Sequence, residues 1–144
     1  MKKINFVNNS EPYLSSENFN QIQDNVEEAI NGYVLFEDKN GATGNITLTK
    51  TIADSKAIEI MYGADGVFFS TGKIYEPFEK KVSLFTPFSS TENSNVYLYV
   101  SNYLINENTI QFLKADNKYI TDTNTINTYG QNSYIKVYKV ISYK

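Results

Sequence analysis

The groups that could do chemistry in this chain are few, and the missing ones narrow the question first. The sequence has neither cysteine nor histidine, and its thirteen basic residues are all lysine. Without cysteine there is no disulfide, no thiolate nucleophile and no zinc–thiolate site. Without histidine the commonest general base and transition-metal ligand is missing too. Carboxylate chemistry remains, and glycoside hydrolysis needs only two acids. The acids Glu37, Asp38, Asp54, Asp65, Glu76 and Glu79 fall in turns or beside strand patterns as isolated charges, and no spacing marks a pair facing each other across a cleft. Asp65-Gly66 in "YGADGVFFS" invites a calcium reading, but one Asp without further ligands at EF-hand spacing is a turn. Phosphate loops of the Gly-x-x-x-x-Gly-Lys-Ser/Thr kind are absent. Asn45 opens an Asn-x-Thr sequon, which carries no weight without a secretory signal. The expectation is a non-enzymatic protein with no catalytic residue, cofactor or metal.

Tyrosine is the more informative residue, with twelve in the chain. Tyr97 and Tyr99 alternate with Val96, Leu98 and Val100, and Tyr103 lies just beyond. Tyr134 and Tyr138 alternate in the same way against Ile135 and Val137. A period of two places these rings on the strand face opposite the aliphatics, where tyrosine offers a rigid, amphipathic contact surface. Such a face is either covered by a loop or a neighbouring subunit, or it stacks sugar rings. Tyr97, Tyr99, Tyr103, Tyr134 and Tyr138 are therefore the candidate contact residues.

The elements that must position these rings are almost all strands. The chain of 144 residues is long enough for one core, and 41% apolar content with 15% aromatics is that of a folded domain. Period-two patterns put Ile46, Leu48 and Ile52 on one face, then Ile58, Ile60 and Tyr62, then Val82 and Leu84. Near the end they align Ile135, Val137 and Ile141. Shorter candidates are "YVLFE", "GVFFS", "KIY", "TIQFL" and "KYIT". Turn signals recur every 8–15 residues, which predicts an antiparallel β-sandwich, jelly-roll-like, over residues 32–144. The polar tips at 89–95 and 124–132 are its candidate binding loops.

One segment breaks the pattern. In "PYLSSENFNQIQDNVEEAI", after an extended arm over residues 1–14, Ser15 or Ser16 can cap a helix that Asn31-Gly32 stops. Residues 1–31 then form an arm and a single amphipathic helix. Phe19, Ile22, Val26 and Ala29, flanked by Ile30, make a short heptad stripe. Either this stripe lies on the chain's own sheet, or it is an oligomer seam between copies. A helix this short is marginal in water and must pack on something.

Net charge of −3 with scattered lysines predicts no nucleic-acid partner. No run of 18 apolar residues predicts no membrane insertion. The start "MKKINFVNNS" lacks the apolar run of a signal peptide, so synthesis in a cytoplasm is expected.

The opening "INFVNNSEPYLSSENFNQIQDNVEEAI" resembles the N-terminal segment of tail-fibre, tail-tip and baseplate proteins of tailed bacteriophages. The matching positions are Ile4, Phe6, Asn8, Pro12, Tyr13 and Leu14, then Phe19, Asn20, Ile22 and Gln23. The remainder resembles a terminal domain of phage and prophage tail proteins from low-GC Gram-positive bacteria, through "LFEDKNGATGNITLTKTI", "AIEIMYG", "STGKIYEP", "KKVSLF" and "YIKVYKVISYK". The resemblance implies a non-enzymatic component of the virion tail, commonly trimeric. Its N-terminal part would attach or trimerise, and its β-domain would act in receptor binding and host recognition. The implied partners are copies of itself, neighbouring tail proteins and bacterial cell-surface polysaccharide. Because Gly32-Tyr33 follows the helix at once, the long shaft of many relatives is missing, which favours a compact tail-tip or baseplate piece, or part of a prophage tail-like bacteriocin. The other reading is a monomeric carbohydrate-binding β-sandwich module.

Overall fold

The helix forms as α1, Ser16–Asn31, and its end is built for a sharp exit. Gly32 takes φ +73° and its amide bonds the Glu28 carbonyl at 3.0 Å, the left-handed cap that glycine adopts without steric cost. A Cβ there would come within 2.5 Å of Ile141 Cγ2 and 2.7 Å of the Ser142 carbonyl oxygen. The chain therefore turns straight from helix into strand against its own last strand. The computed structural model describes residues 16–89, 95–121, 126–128, 130 and 133–144. The expected arm, the Ser15 and Ser16 cap side chains and most of both candidate loop tips lie outside the described residues.

Strands follow from Tyr33 onward in two antiparallel sheets, the sandwich that the turn-punctuated pattern predicts. The first contains β1 (Tyr33–Ala42), β3 (Ala57–Ala64), β4 (Val67–Ser70), β5 (Ile74–Tyr75) and β11 (Lys136–Tyr143). Its order is β1-β11-β3-β4, with β5 also on β3, so the first and last strands lie side by side. The second contains β2 (Ile46–Thr47), β6 (Lys81–Ser89), β7 (Val96–Ile105), β8 (Thr109–Ala115), β9 (Lys118–Ile120) and β10 (Ile126–Thr128). Here β7 is the spine, with β6 along one edge and β8 then β9 along the other. Asp65 (φ 50°) and Gly66 (φ 81°) form a two-residue turn between paired Ala64 and Val67, as the Asp-Gly step predicts.

The core lies between the sheets. Ile46, Leu48, Ile52, Ile58, Ile60, Tyr62 and Leu84 are buried as their alternation predicts. Two strands run in the opposite or a shifted phase. In β7 the inward residues are Tyr99, Ser101, Tyr103 and Ile105, while Val96 is exposed and Leu98 and Val100 are half-buried. Register with β6 fixes this phase, because Thr86 and Leu84, both buried, lie opposite Tyr99 and Ser101. A one-residue change of phase exchanges the two faces, and the larger tyrosines take the dry one. In β11 a register shift between Val137 and Lys139 inserts one residue. Val137, Val140 and Ser142 are then buried, and Ile141 turns outward beside Gly32 instead of joining the core.

The two ends of the sandwich differ. At the helix end, the Lys56 amide bonds the Tyr143 carbonyl (2.9 Å), the Glu76 amide bonds the Lys56 carbonyl (2.8 Å) and the Ile105 amide bonds the Lys80 carbonyl (2.9 Å). The start of β6 and the end of β7 therefore lie near α1. The start of β7, the β3–β4 turn and the start of β11 lie at the far end.

Candidate functional site

The helix stripe is a real surface. Phe19, Ile22, Val26 and Ile30 are between 39% and 70% exposed, although α1 is anchored to β11 through Gly32. None of these four joins the buried core. The side chain of Ala29 lies outside the described residues. On the polar side Gln23 Nε2 donates to Glu27 Oε1 at 3.1 Å, a pair one turn apart that supports the helix weakly. The helix carries no basic residue in its last turn, where Glu27 and Glu28 oppose the macrodipole. A helix with these features depends on what covers its apolar side.

The five candidate tyrosines separate. Tyr103 is fully buried and Tyr99 nearly so, which corrects the expectation that both belong to a contact surface; burial also pushes the Tyr103 phenol up. They are core rings because β7 runs in the opposite phase. Tyr97 and Tyr99 do join an aromatic cluster at the far end. Tyr97 lies 5.8 Å from Tyr119 and 6.2 Å from Phe88, and Tyr99 stacks on Tyr134 at 5.0 Å. Tyr134, 40% exposed, is the ring of this cluster that reaches solvent most clearly.

Tyr138 belongs to the other sheet, where it meets Phe68 edge-on at 4.9 Å and packs against Gly41. Tyr134 and Tyr138 nevertheless line one open cleft of about 380 Å³, together with Thr43, Asp65, Ser133 and Lys136. Lys136 Nζ donates to the Asn40 carbonyl at 3.1 Å. Two rings braced from behind, with an acid, an ammonium and hydroxyls between them, can hold a small polar ligand with one apolar face.

The carboxylates are dispersed over the surface. Glu37 pairs with Lys139 at 3.3 Å, Glu107 accepts from Thr51 at 3.1 Å, and Asp38 accepts the Asn40 amide at 2.8 Å. Asp54, Asp65, Glu76 and Glu79 are exposed. Among the described residues no three acids gather as metal ligands would. No helix among them is long and apolar enough to cross a membrane.

The sequence reading missed Phe88 and Tyr119 of the aromatic cluster. It also missed the outward aliphatics of β7, whose only signal is the alternation that was assigned to the core. Compared with family models, curated proteins and solved structures, the chain matches none.

Proposed function

We propose that this chain is a non-enzymatic tail protein of a tailed bacteriophage or prophage, assembling as a homo-oligomer, by resemblance a trimer, through α1. The observation that carries the oligomer is the uncovered stripe of Phe19, Ile22, Val26 and Ile30 on a helix too short to stand alone. In a parallel bundle each stripe is dried by its symmetry mates. The tail assignment itself rests on the resemblance of the opening segment and the domain pattern. In that role the far end of the sandwich, with its braced tyrosines, would face a bacterial surface or a neighbouring tail protein.

Light scattering of the full chain beside Val26→Asp tests the seam. We expect the wild type to be oligomeric and the variant to fall to monomers with its near-ultraviolet tyrosine signal intact, because residue 26 is outside the core. A variant that keeps the wild-type mass would remove the helix seam. A monomeric wild type would favour the second reading, a carbohydrate-binding module, whose support is the cleft between Tyr134 and Tyr138.

A further inference from the structure

The outer face of the second sheet is apolar where water would normally select polar residues. Antiparallel sheets with one solvated face alternate apolar-in and polar-out. Here the outward register rows place Phe85 beside Val100 and Pro87 beside Leu98. A further row runs Val96, Ile120, Ile126 across β7, β9 and β10. Phe85 is 44% exposed, Val96 36% and Ile126 65%. Lys118, opposite Leu98, lies on the same face and reaches Asp116 at 3.8 Å. Toward the helix end the face becomes polar, with Ser83 opposite Asn102, Asn102 opposite Lys114, and Leu104 opposite Lys81 and Gln111. The patch is thus bounded, continuous across four strands, and confined to the end of the sandwich away from α1.

We propose that this face is a second self-association surface, seated against another copy of this chain. The inference rests on the oligomer reading above, and interface area is what points to a second copy. Four side chains on one helix stripe remove on the order of a few hundred Å² per chain from water, well short of the roughly 800 Å² per partner of a standard stable interface. The stripe needs a second contact between the same partners. The sheet face supplies apolar area at the opposite end of the molecule, so the copies are clamped at two points and cannot splay about Gly32. Contiguous exposed apolar patches larger than a few hundred Å² mark interaction surfaces on monomeric proteins.

The chain has no cysteine, so Val96→Cys places a single thiol in the patch, in its row with Ile120 and Ile126. Its rate of alkylation by a bulky maleimide is measured at high protein concentration and after dilution to monomers. The expected result is protection of about ten-fold or more in the assembly, equivalent to roughly 1.4 kcal/mol, lost on dilution. Equal rates overturn the proposal. Protection that survives dilution also overturns it, because the chain's own residues would then cover the face.

The second arm is solution mass for Val96→Glu/Leu98→Glu, which is expected to fall while the tyrosine signal stays native. A wild-type mass for this pair, with Val26→Asp dissociated, removes the sheet contact alone. The reverse pattern removes the helix seam and leaves the sheet contact standing. Should the double charge unfold the domain, the thiol rates still decide.

Discussion

Glu59 shows how much of this protein's electrostatics is local. It stands on the outer side of β3, where the Ser70 hydroxyl donates to one carboxylate oxygen and the Tyr143 hydroxyl to the other at 2.8 Å. Lys73, whose ammonium lies 4.0 Å over the Tyr143 ring, adds attraction. The Ser70 and Tyr143 bonds, opposed by partial burial, hold the Glu59 carboxyl below its ordinary 4.5. Between the folded and unfolded values the unfolded chain binds more protons, so stability rises with pH through that window. The contribution is complete above the unfolded value and is lost as pH falls through the folded one. Glu59→Gln cannot titrate. It should be less stable than wild type near neutral pH, by on the order of 1 kcal/mol or less because the group is screened by solvent. Denaturant melts at a series of pH values should show this gap closing below pH 4.5. A gap that stays constant into acid would mean that the charge of Glu59 is not what the network recognises. Nothing in the sequence announced the network, because strand register alone brings Ser70 and Tyr143 to Glu59.

At the scale of elements, the junction between α1 and β1 is the most exacting place in the chain. Alanine at position 32 would need φ near +73° and would bring its Cβ to 2.7 Å from the Ser142 carbonyl oxygen, a backbone atom that cannot swing aside. Gly32→Ala should therefore cost more than about 1 kcal/mol, seen as a lowered Tm with reduced helical circular dichroism. An unchanged melt would mean that the helix does not leave the sandwich by this route. Asn31-Gly32 was legible as a stop signal, as was the Asp65-Gly66 turn, because both depend on local dihedral chemistry. Strands such as "IEIMY" were legible in position and facing, because their aliphatics and their burial share one phase. The facing of β7 was not legible: "VYLYV" alternates two kinds of residue that can each be buried, and only Leu84 and Thr86 on the neighbouring strand decide between them. In β11 a bulge moves Ile141 out of phase, and no residue type marks the inserted position. Two of the five tyrosines expected on a contact surface, Tyr99 and Tyr103, are accordingly core rings, and Val96, Leu98 and Val100, expected in the core, face outward.

On the scale of the whole molecule, the sandwich is closed by its last strand and carries its helix as an attachment. β11 lies between β1 and β3 and pairs with both, with Tyr33 opposite Ser142 and Ile58 opposite Ser142 on the other side. Its Val137 and Val140 are fully buried in the same cluster as Leu35, Ile58 and Ile60. Helix α1, by contrast, contributes none of its described side chains to that cluster. Two truncations should therefore behave oppositely. A chain beginning at Gly32 should keep a cooperative thermal transition and its near-ultraviolet tyrosine signal, while losing oligomer mass. A chain ending at Ile135 should lose both transition and signal, because β1 and β3 are left with unpaired backbone edges and an open core. The same long-range pairing should make refolding slow, on the order of milliseconds to seconds, since the two ends of the domain must meet before the first sheet is complete. A cooperative melt from the chain ending at Ile135 would show that β3, β4 and the second sheet form a core without β11. The sandwich would then be two separable layers, and its helix end would not be fixed relative to its far end.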